Sequence, residues 1–214
     1  MDFKQMILEA GIEMQAKNLT IETWGNISIR DPESGLIYIT PSGMPYDKLN
    51  EDDIVVLNPD GTIHEGKRTP SVESGLHTLI YQNRTEINAV LHTHPVDSSI
   101  FGMLRKPIPM VSDELAQAFG EEIKVADYAL PGSKELAENA VRALGTNMAC
   151  LLANHGALCV GRNMQECFKT ASVLESQARI YYKALCIGTP VVLKEDDVAY
   201  MRDFALNKYG KTNQ

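Results

Sequence analysis

The chain has 214 residues, of which 44% are hydrophobic and 22% are charged, a composition typical of one globular domain over residues 1–214. Its formal net charge of −8 argues against non-specific binding to nucleic acid or to an anionic membrane. No apolar window reaches the roughly 18 residues of a membrane span, and the acid-bearing N-terminus is unlike a signal peptide. Four cysteines without a Cys-x-x-Cys pair suit a reducing cytoplasm.

The first third of the chain predicts one helix, two hairpins and the start of a second helix. Apolar residues at helical spacing predict a helix that ends near residue 17. Alternating patterns predict paired strands over 24–30 and 36–40, and a second pair over 54–57 and 62–65. Thr69, Pro70 and Ser71 combine capping residues with proline, which predicts a helix that has Glu73 in its first turn.

The rest of the chain alternates between buried strands and helices. Strands are predicted over 89–95, 123–129, 148–153 and 157–161, helices over 97–104, 112–118, 134–144, 164–187 and 194–209, and a loop over 106–109. Consecutive hairpins imply antiparallel pairing. The predicted fold class is α/β, a single three-layer domain with a central, mostly antiparallel sheet flanked by helices.

Two histidines lie at the end of the predicted strand over 89–95. Side chains alternate along a strand, so His92 and His94 point to the same side. Two neighbouring imidazoles are half of a metal site, although hydrogen-bonded or surface histidines would show the same spacing.

A third histidine, His155, follows the predicted strand over 148–153, and Gly156 permits a tight turn that leaves the imidazole projecting. Strand ends are where open α/β sheets place their sites. Three histidines from two strand ends match a His₃ shell with an open position, the pattern of catalytic zinc.

Glu73 is the candidate carboxylate of this three-histidine site. Beside a divalent metal it is a candidate ligand, a candidate general base, or both in turn. The other interpretation is that Glu73 only complements the N-terminus of its helix. His77, four residues on, is interpreted as a buried residue that supports the site, and His64 as an exposed hairpin residue.

Three short polar segments have the composition of an anion cradle. They are Gly25-Asn26-Ile27-Ser28, Thr40-Pro41-Ser42-Gly43 and Pro70-Ser71. Backbone amides at Ser42, Gly43 and near Ser71, together with the Asn26 amide, suit a phosphate group. Each segment taken alone also fits an ordinary turn, and no Walker loop is present.

Taken together, these segments with His92-Thr93-His94 and Asn154-His155-Gly156 occur in the order and spacing of the class II aldolase/adducin family, which the chain resembles over essentially its whole length. The resemblance implies zinc held by His92, His94 and His155, with Glu73 as ligand and acid/base. Three histidines with a carboxylate also accommodate manganese or cobalt, so the sequence does not fix the metal. It also implies a phosphate pocket from Asn26, Ser42, Gly43 and Ser71.

The resemblance further implies an enzyme that cleaves a fuculose-1-phosphate-like ketose phosphate into dihydroxyacetone phosphate and an aldehyde. The family's usual assembly is a C4 homotetramer with active sites between subunits, and its C-terminal tyrosine matches Tyr209. The chain departs from the family pattern at Val72, where a second serine is frequent, and at Asp113, where the fuculose-phosphate aldolases carry a tyrosine.

Two alternatives stay open at this point. The related L-ribulose-5-phosphate 4-epimerases use an aspartate near Asp113 with a C-terminal tyrosine, and they re-form the bond after rotating the aldehyde. Asp113 also fits a helix-cap acid without a catalytic role. A non-catalytic binding module like the adducin head shares the fold, but the retained histidines and Glu73 argue against it.

Overall fold

The computed structural model of the protein describes residues 2–209. Its strands are β1 Asn26–Arg30, β2 Ile37–Ile39, β3 Val55–Leu57, β4 Ile63–Glu65, β5 Ala89–Thr93, β6 Val125–Ala126, β7 Ala149–Leu152 and β8 Gly156–Gly161. Its helices are α1 Phe3–Ala16, α2 Ser74–Asn83, α3 Val96–Leu104, α4 Asp113–Ala118, α5 Lys134–Leu144, α6 Met164–Ile187 and α7 Glu195–Asn207. Two short 3₁₀ turns, Tyr46–Lys48 and Glu51–Asp53, were not predicted.

All eight strands form one sheet in the order β4-β3-β2-β1-β5-β8-β7-β6. Every neighbouring pair is antiparallel except β6 and β7, which are parallel. This confirms the predicted, mostly antiparallel sheet. Because β5 lies between β1 and β8, the chain segments that carry Asn26, His92 and His155 meet at the middle of the sheet.

Helices cover both faces of the sheet and form the predicted three layers. One core contains residues of α1, α3, α4 and α6, such as Ile7, Phe101 and Leu174. The second core, on the other face, packs α2 and α5 against the sheet through residues such as Ile80 and Leu136. Within residues 2–209, no helix has both the length and the apolar character of a membrane span.

Two element predictions were wrong in their bounds. The helix predicted to open at Thr69–Ser71 begins at Ser74, because Pro70 pairs with Pro41 in an isolated bridge and Ser71 N donates to Thr40 O at 3.0 Å. The strand predicted over 123–129 is reduced to β6, because Ile123 pairs instead with Ile108 of the predicted loop. In both places, backbone groups that the local sequence pattern assigns to a helix or a longer strand instead pair with a distant segment of the chain.

Candidate metal centre

The three predicted histidines converge. His92 lies in β5, His94 follows that strand, and His155 lies in the turn between β7 and β8. Their candidate ligand atoms all lie within 4.8 Å of one another. His92 Nε2 and His94 Nε2 are 3.0 Å apart, and the His155 ring is 4.7 Å from that of His92, centroid to centroid.

The turn that presents His155 differs from the predicted one. Asn154, not Gly156, takes the left-handed conformation, with φ of 52°. Gly156 is needed for space instead: a Cβ there would overlap the Thr93 carbonyl oxygen and lie 3.3 Å from His92 Cε1. The absence of a side chain thus lets β8 pair closely with β5 beside the histidines.

The histidines are held as neutral imidazoles. Burial lowers the pKa of both His92 and His94 to about 3, and it also lowers that of His155 against the opposing effect of Glu73. His92 Nδ1 lies 3.1 Å from Ala157 O, so its proton is donated to that carbonyl and Nε2 keeps a free lone pair. Neutral imidazole with the far nitrogen tied to a carbonyl is the usual form of a metal ligand.

Glu73 completes the cluster. It is the residue before α2, not part of its first turn, and its side chain makes no capping bond to the helix. Its Oε2 lies 3.3 Å from His92 Nε2, and its Oε1 lies 3.6 Å from His155 Nε2. The carboxylate therefore faces the histidines and does not cap the helix through its side chain.

The donor set fits a divalent cation. Among the described residues, Glu73 Oε1 and His155 Nδ1 are buried without a hydrogen-bond partner. Buried polar atoms without partners are rare in folded proteins. Three neutral imidazoles and one carboxylate are also the ligand types that zinc, manganese and cobalt accept. The cluster could therefore bind a metal ion.

Sequence reasoning missed the connections behind Glu73. Asn26 Nδ2 donates to Glu73 Oε2 at 2.8 Å, and Asn26 Oδ1 lies 2.5 Å from His77 Nε2. His77 Nδ1 is in turn 2.6 Å from Ser28 Oγ, which is 2.8 Å from Tyr81 Oη. His77 is fully buried, as predicted, and burial lowers its pKa to about 3. The available signal was the pair of polar residues, Asn26 and Ser28, on one face of a buried strand.

The cluster opens into a cavity of about 510 Å³. All four predicted phosphate residues line this cavity beside Glu73, His94 and His155; they are Asn26, Ser42, Gly43 and Ser71. Trp24, Val72, Pro131 and Asn154 also line it. Trp24 is 58% exposed and packs 5.8 Å from His94, ring centroid to ring centroid, and Val72 is 63% exposed.

The backbone amides at this cavity are less available than predicted. Ser42 N donates to Thr69 O and Ser71 N donates to Thr40 O, each at 3.0 Å. These two bonds join the loop that contains Ser42 to the loop that contains Ser71. The groups left for an anion are the hydroxyls of Ser42 and Ser71, the amide of Gly43 and the second hydrogen of Asn26 Nδ2.

The other two predicted catalytic residues lie elsewhere in the chain. Asp113 is the exposed first residue of α4, after the capping residue Ser112. Tyr209 is 66% exposed and packs against Phe204, with ring centroids 5.9 Å apart. Neither is among the described residues that line the cavity.

The chain is similar to known proteins over most of its length. The family model for the class II aldolase and adducin N-terminal domain matches residues 5–182. The 5-deoxy-D-ribulose 1-phosphate aldolase of Bacillus thuringiensis serovar kurstaki is 38% identical over 195 residues, which cover 91% of each chain. The L-fuculose phosphate aldolase of Escherichia coli O6:H1 is 37% identical and is aligned over 91% of this chain and 90% of its own.

A solved structure of an L-fuculose 1-phosphate aldolase superposes with a TM-score of 0.92 at 38% identity, covering 94% of this chain and 95% of that one. Sequence and fold thus match the same group of enzymes over nearly the whole chain. We conclude that this protein belongs to the class II aldolase and adducin family, as one of its aldolases.

Proposed function

We propose that the protein cleaves a ketose 1-phosphate between C3 and C4, releasing dihydroxyacetone phosphate and an aldehyde. The observation that carries the proposal is the convergence of His92, His94, His155 and Glu73 beside a cavity that the four predicted phosphate residues also line. Metal-ligand chemistry and phosphate recognition in one cavity suit a phosphorylated sugar that reacts at its carbonyl end.

We assign the metal to His92, His94 and His155, with Glu73 as a fourth ligand, and propose zinc, with manganese or cobalt as alternatives. When bound, the ion supplies Lewis-acid stabilisation of the negative charge that develops on the substrate during cleavage. His92 is oriented for this role by Ala157 O, and burial of the cluster keeps the imidazoles neutral and available.

Glu73 moves the proton at C3 in this proposal. Cleavage leaves the bonding electrons of C3–C4 on the C3 side, and C3 must then gain a proton to give dihydroxyacetone phosphate. Oε2 is held by Asn26, whereas Oε1 has no partner among the described residues. We therefore assign Oε1 as the atom that gives its proton to C3; Glu73 takes up that proton from solvent before cleavage, so its ligand and acid roles alternate.

The phosphate is assigned to the hydroxyls of Ser42 and Ser71, the Gly43 amide and the Asn26 amide. Ser71 Oγ accepts a bond from Glu73 N at 3.3 Å, so its own hydrogen is available to a phosphate oxygen. Val72 adds no donor, which leaves a cradle made of few hydroxyl groups. Phosphate binding at this cradle would place C2 and C3 of the sugar beside Glu73.

The far end of the substrate is proposed to be apolar. Trp24 and Pro131 give the cavity wall an apolar part. The relatives reported above are named for 5-deoxy-D-ribulose 1-phosphate and L-fuculose phosphate. Both sugars lack a hydroxyl group on the carbon farthest from the phosphate, and an apolar wall contacts such a methyl terminus without leaving a polar group unpaired.

We further propose a C4 homotetramer in which a neighbouring subunit contributes Tyr209, and also Asp113, to the aldehyde side of the site. Within one chain, both residues lie outside the cavity lining among the described residues. The exposed apolar residues Ile187, Val191 and Val192, which are 90%, 83% and 55% exposed, fit a surface that a second subunit covers. Whichever of Asp113 and Tyr209 acts would take the proton of the C4 hydroxyl as the bond breaks.

A substrate panel tests the activity. Ketose 1-phosphates and 5-phosphates with methyl or hydroxymethyl ends would be incubated with the enzyme loaded with zinc, manganese or cobalt. Dihydroxyacetone phosphate, measured with a coupled reductase, is expected from methyl-ended ketose 1-phosphates. A C4-inverted ketose phosphate without release would instead indicate the epimerase, and no turnover together with no bound metal would favour a binding module.

A further inference from the structure

The catalytic carboxylate of the proposed function is backed by a buried chain of side-chain hydrogen bonds, here called the relay. The relay consists of Tyr81, Ser28, His77, Asn26 and Glu73, and each of these residues is buried. Each hydrogen bond has one donor and one acceptor. The donor at one contact therefore determines which atom must donate at the next contact along the relay.

Asn26 determines the direction of hydrogen-bond donation at the end of the relay near Glu73. Asn26 Nδ2 donates to Glu73 Oε2 at 2.8 Å, so Asn26 Oδ1 is the atom that faces His77 Nε2, at 2.5 Å. An amide oxygen only accepts. His77 must therefore carry a proton on Nε2.

The imidazole of His77 determines the direction of the next hydrogen bond, the one with Ser28. A fully buried imidazole that faces no carboxylate directly is neutral and carries one proton, which leaves Nδ1 as an acceptor. Ser28 Oγ, 2.6 Å away, then donates to Nδ1. Since the Ser28 hydroxyl has only one hydrogen, Tyr81 Oη must donate at the 2.8 Å contact to Ser28 Oγ, and its hydrogen is shared with Ser28 O at 3.0 Å.

We infer that the relay donates in a single direction, from Tyr81 towards Glu73, and that His77 and Ser28 are positioning residues which hold the proton-carrying carboxylate in place. This inference rests on the role proposed for Glu73. Every side-chain contact along the path then pairs one donor with one acceptor, and no two acceptors face each other. The relay holds Oε2 through Asn26 and leaves Oε1 facing His155, 3.6 Å from its Nε2.

A consequence is that loss of the relay is expected to lower turnover through the position of Glu73. Asn26 and Glu73 line the cavity, whereas His77, Ser28 and Tyr81 are not among the described residues that line it. Loss of an outer hydrogen-bond partner of a metal site commonly costs about 10- to 100-fold in activity or metal affinity. We expect this loss in kcat, because Asn26 without its hydrogen bond to His77 would no longer be held towards Glu73 Oε2.

The first test is the tautomer of His77. Nitrogen-15 NMR would be recorded on the zinc-loaded enzyme labelled at histidine, and the His77 signals would be identified by their absence in His77→Gln. We expect a proton on Nε2 and none on Nδ1. A proton on Nδ1, or on both nitrogens, would overturn the relay direction.

The second test compares His77→Leu with His77→Gln. Leucine removes both hydrogen bonds, whereas glutamine offers an amide donor towards Asn26 and an oxygen acceptor towards Ser28. We expect His77→Leu to lower kcat by about 10- to 100-fold at nearly unchanged zinc content, and His77→Gln to recover most of that loss. Thr78→Val is the matched control, because the Thr78 hydroxyl is equally buried in α2 and has no partner among the described residues.

Ser28→Ala gives the same comparison with a smaller change if His77→Leu does not fold. Wild-type kcat in either variant, or equal losses in the leucine and glutamine variants, would overturn the positioning role. If the wild-type enzyme cleaves no ketose phosphate, the proposed function fails. The NMR measurement then still decides whether the relay exists.

Discussion

Glu73 has two oxygens in different surroundings, and this difference shapes the chemistry at the residue scale. Oε2 accepts from Asn26, whereas Oε1 is buried without a partner among the described residues. A carboxylate that is held on one side and free on the other is suited to carry a proton to a fixed point.

Glu73→Gln is therefore expected to reduce turnover by about a hundredfold or more, because glutamine keeps the shape but cannot exchange a proton. The three histidines remain, so most of the bound metal should be retained. The measurements are kcat with the preferred ketose 1-phosphate and metal content by elemental analysis. Turnover close to that of the wild type would exclude Glu73 as the acid/base.

Val72 is the residue at which the anion cradle departs from the family pattern. Its side chain lines the cavity and is largely exposed. Val72→Ser would add a hydroxyl donor, and a new hydrogen bond to a phosphate contributes about 1 kcal/mol, a several-fold decrease in KM. Val72→Ala is the control, since it shortens the side chain without adding a donor. A decrease in KM in both variants, or in neither, would argue against a phosphate contact at this position.

At the scale of the element, the sheet brings the site together. Asn26 of β1 pairs directly with His92 of β5, and Thr93 pairs with Ala157 of β8, just after His155. Neighbouring antiparallel strands thus deliver an amide and the imidazoles to one edge of the cavity. The register of these pairings sets the geometry, because a slip of one residue would turn His92 away from the cluster.

Gly156→Ala tests the dependence on this close pairing. The added Cβ would overlap the Thr93 carbonyl oxygen in the neighbouring strand. Backbone cannot move aside as a side-chain tip can, so we expect a loss of about 1–3 kcal/mol or more in the free energy of unfolding, together with weaker metal binding. Chemical denaturation and metal titration would measure both.

Gly188→Ala is the matched control for that substitution. Gly188 follows α6 in an extended conformation, and a Cβ there would meet nothing within 4 Å. Its stability and metal affinity should stay close to those of the wild type. Equal stability of the two variants would show that β5 and β8 tolerate the extra carbon.

At the scale of the whole molecule, the proposed tetramer explains why one chain holds only part of the predicted catalytic set. The histidines, Glu73 and the anion cradle share one cavity, whereas Asp113 and Tyr209 are on the exposed surface. In a site between subunits, Asp113 and Tyr209 of one subunit would lie beside the histidines, Glu73 and the anion cradle of its neighbour.

Subunit mixing tests this arrangement. Glu73→Gln and Tyr209→Phe subunits would be unfolded, combined in equal amounts and refolded together, with each variant refolded alone as the control. If each site takes Tyr209 from a neighbour, about a quarter of the sites in a random mixture regain both native residues. Activity no higher than the average of the two variants would show that the residues do not combine across subunits.

The sequence alone determined the fold class and singled out the three histidines that the structure brings together. Periodicities of 2 and 3.6 predicted nearly every helix and strand, and the histidines were recognisable because each follows or ends an apolar strand. These signals are local: they depend on side chains within a few residues of one another, and the printed chain carries that information directly.

Only the tertiary structure decided how these parts meet. The start of α2, the parallel β6, the space required at Gly156 and the bonds from Asn26 to Glu73 and His77 all depend on segments that are far apart in the chain. The physical reason is that a backbone or side-chain donor bonds to whichever acceptor the packed sheet places beside it. Strand order and register choose that acceptor, and local composition does not specify either one.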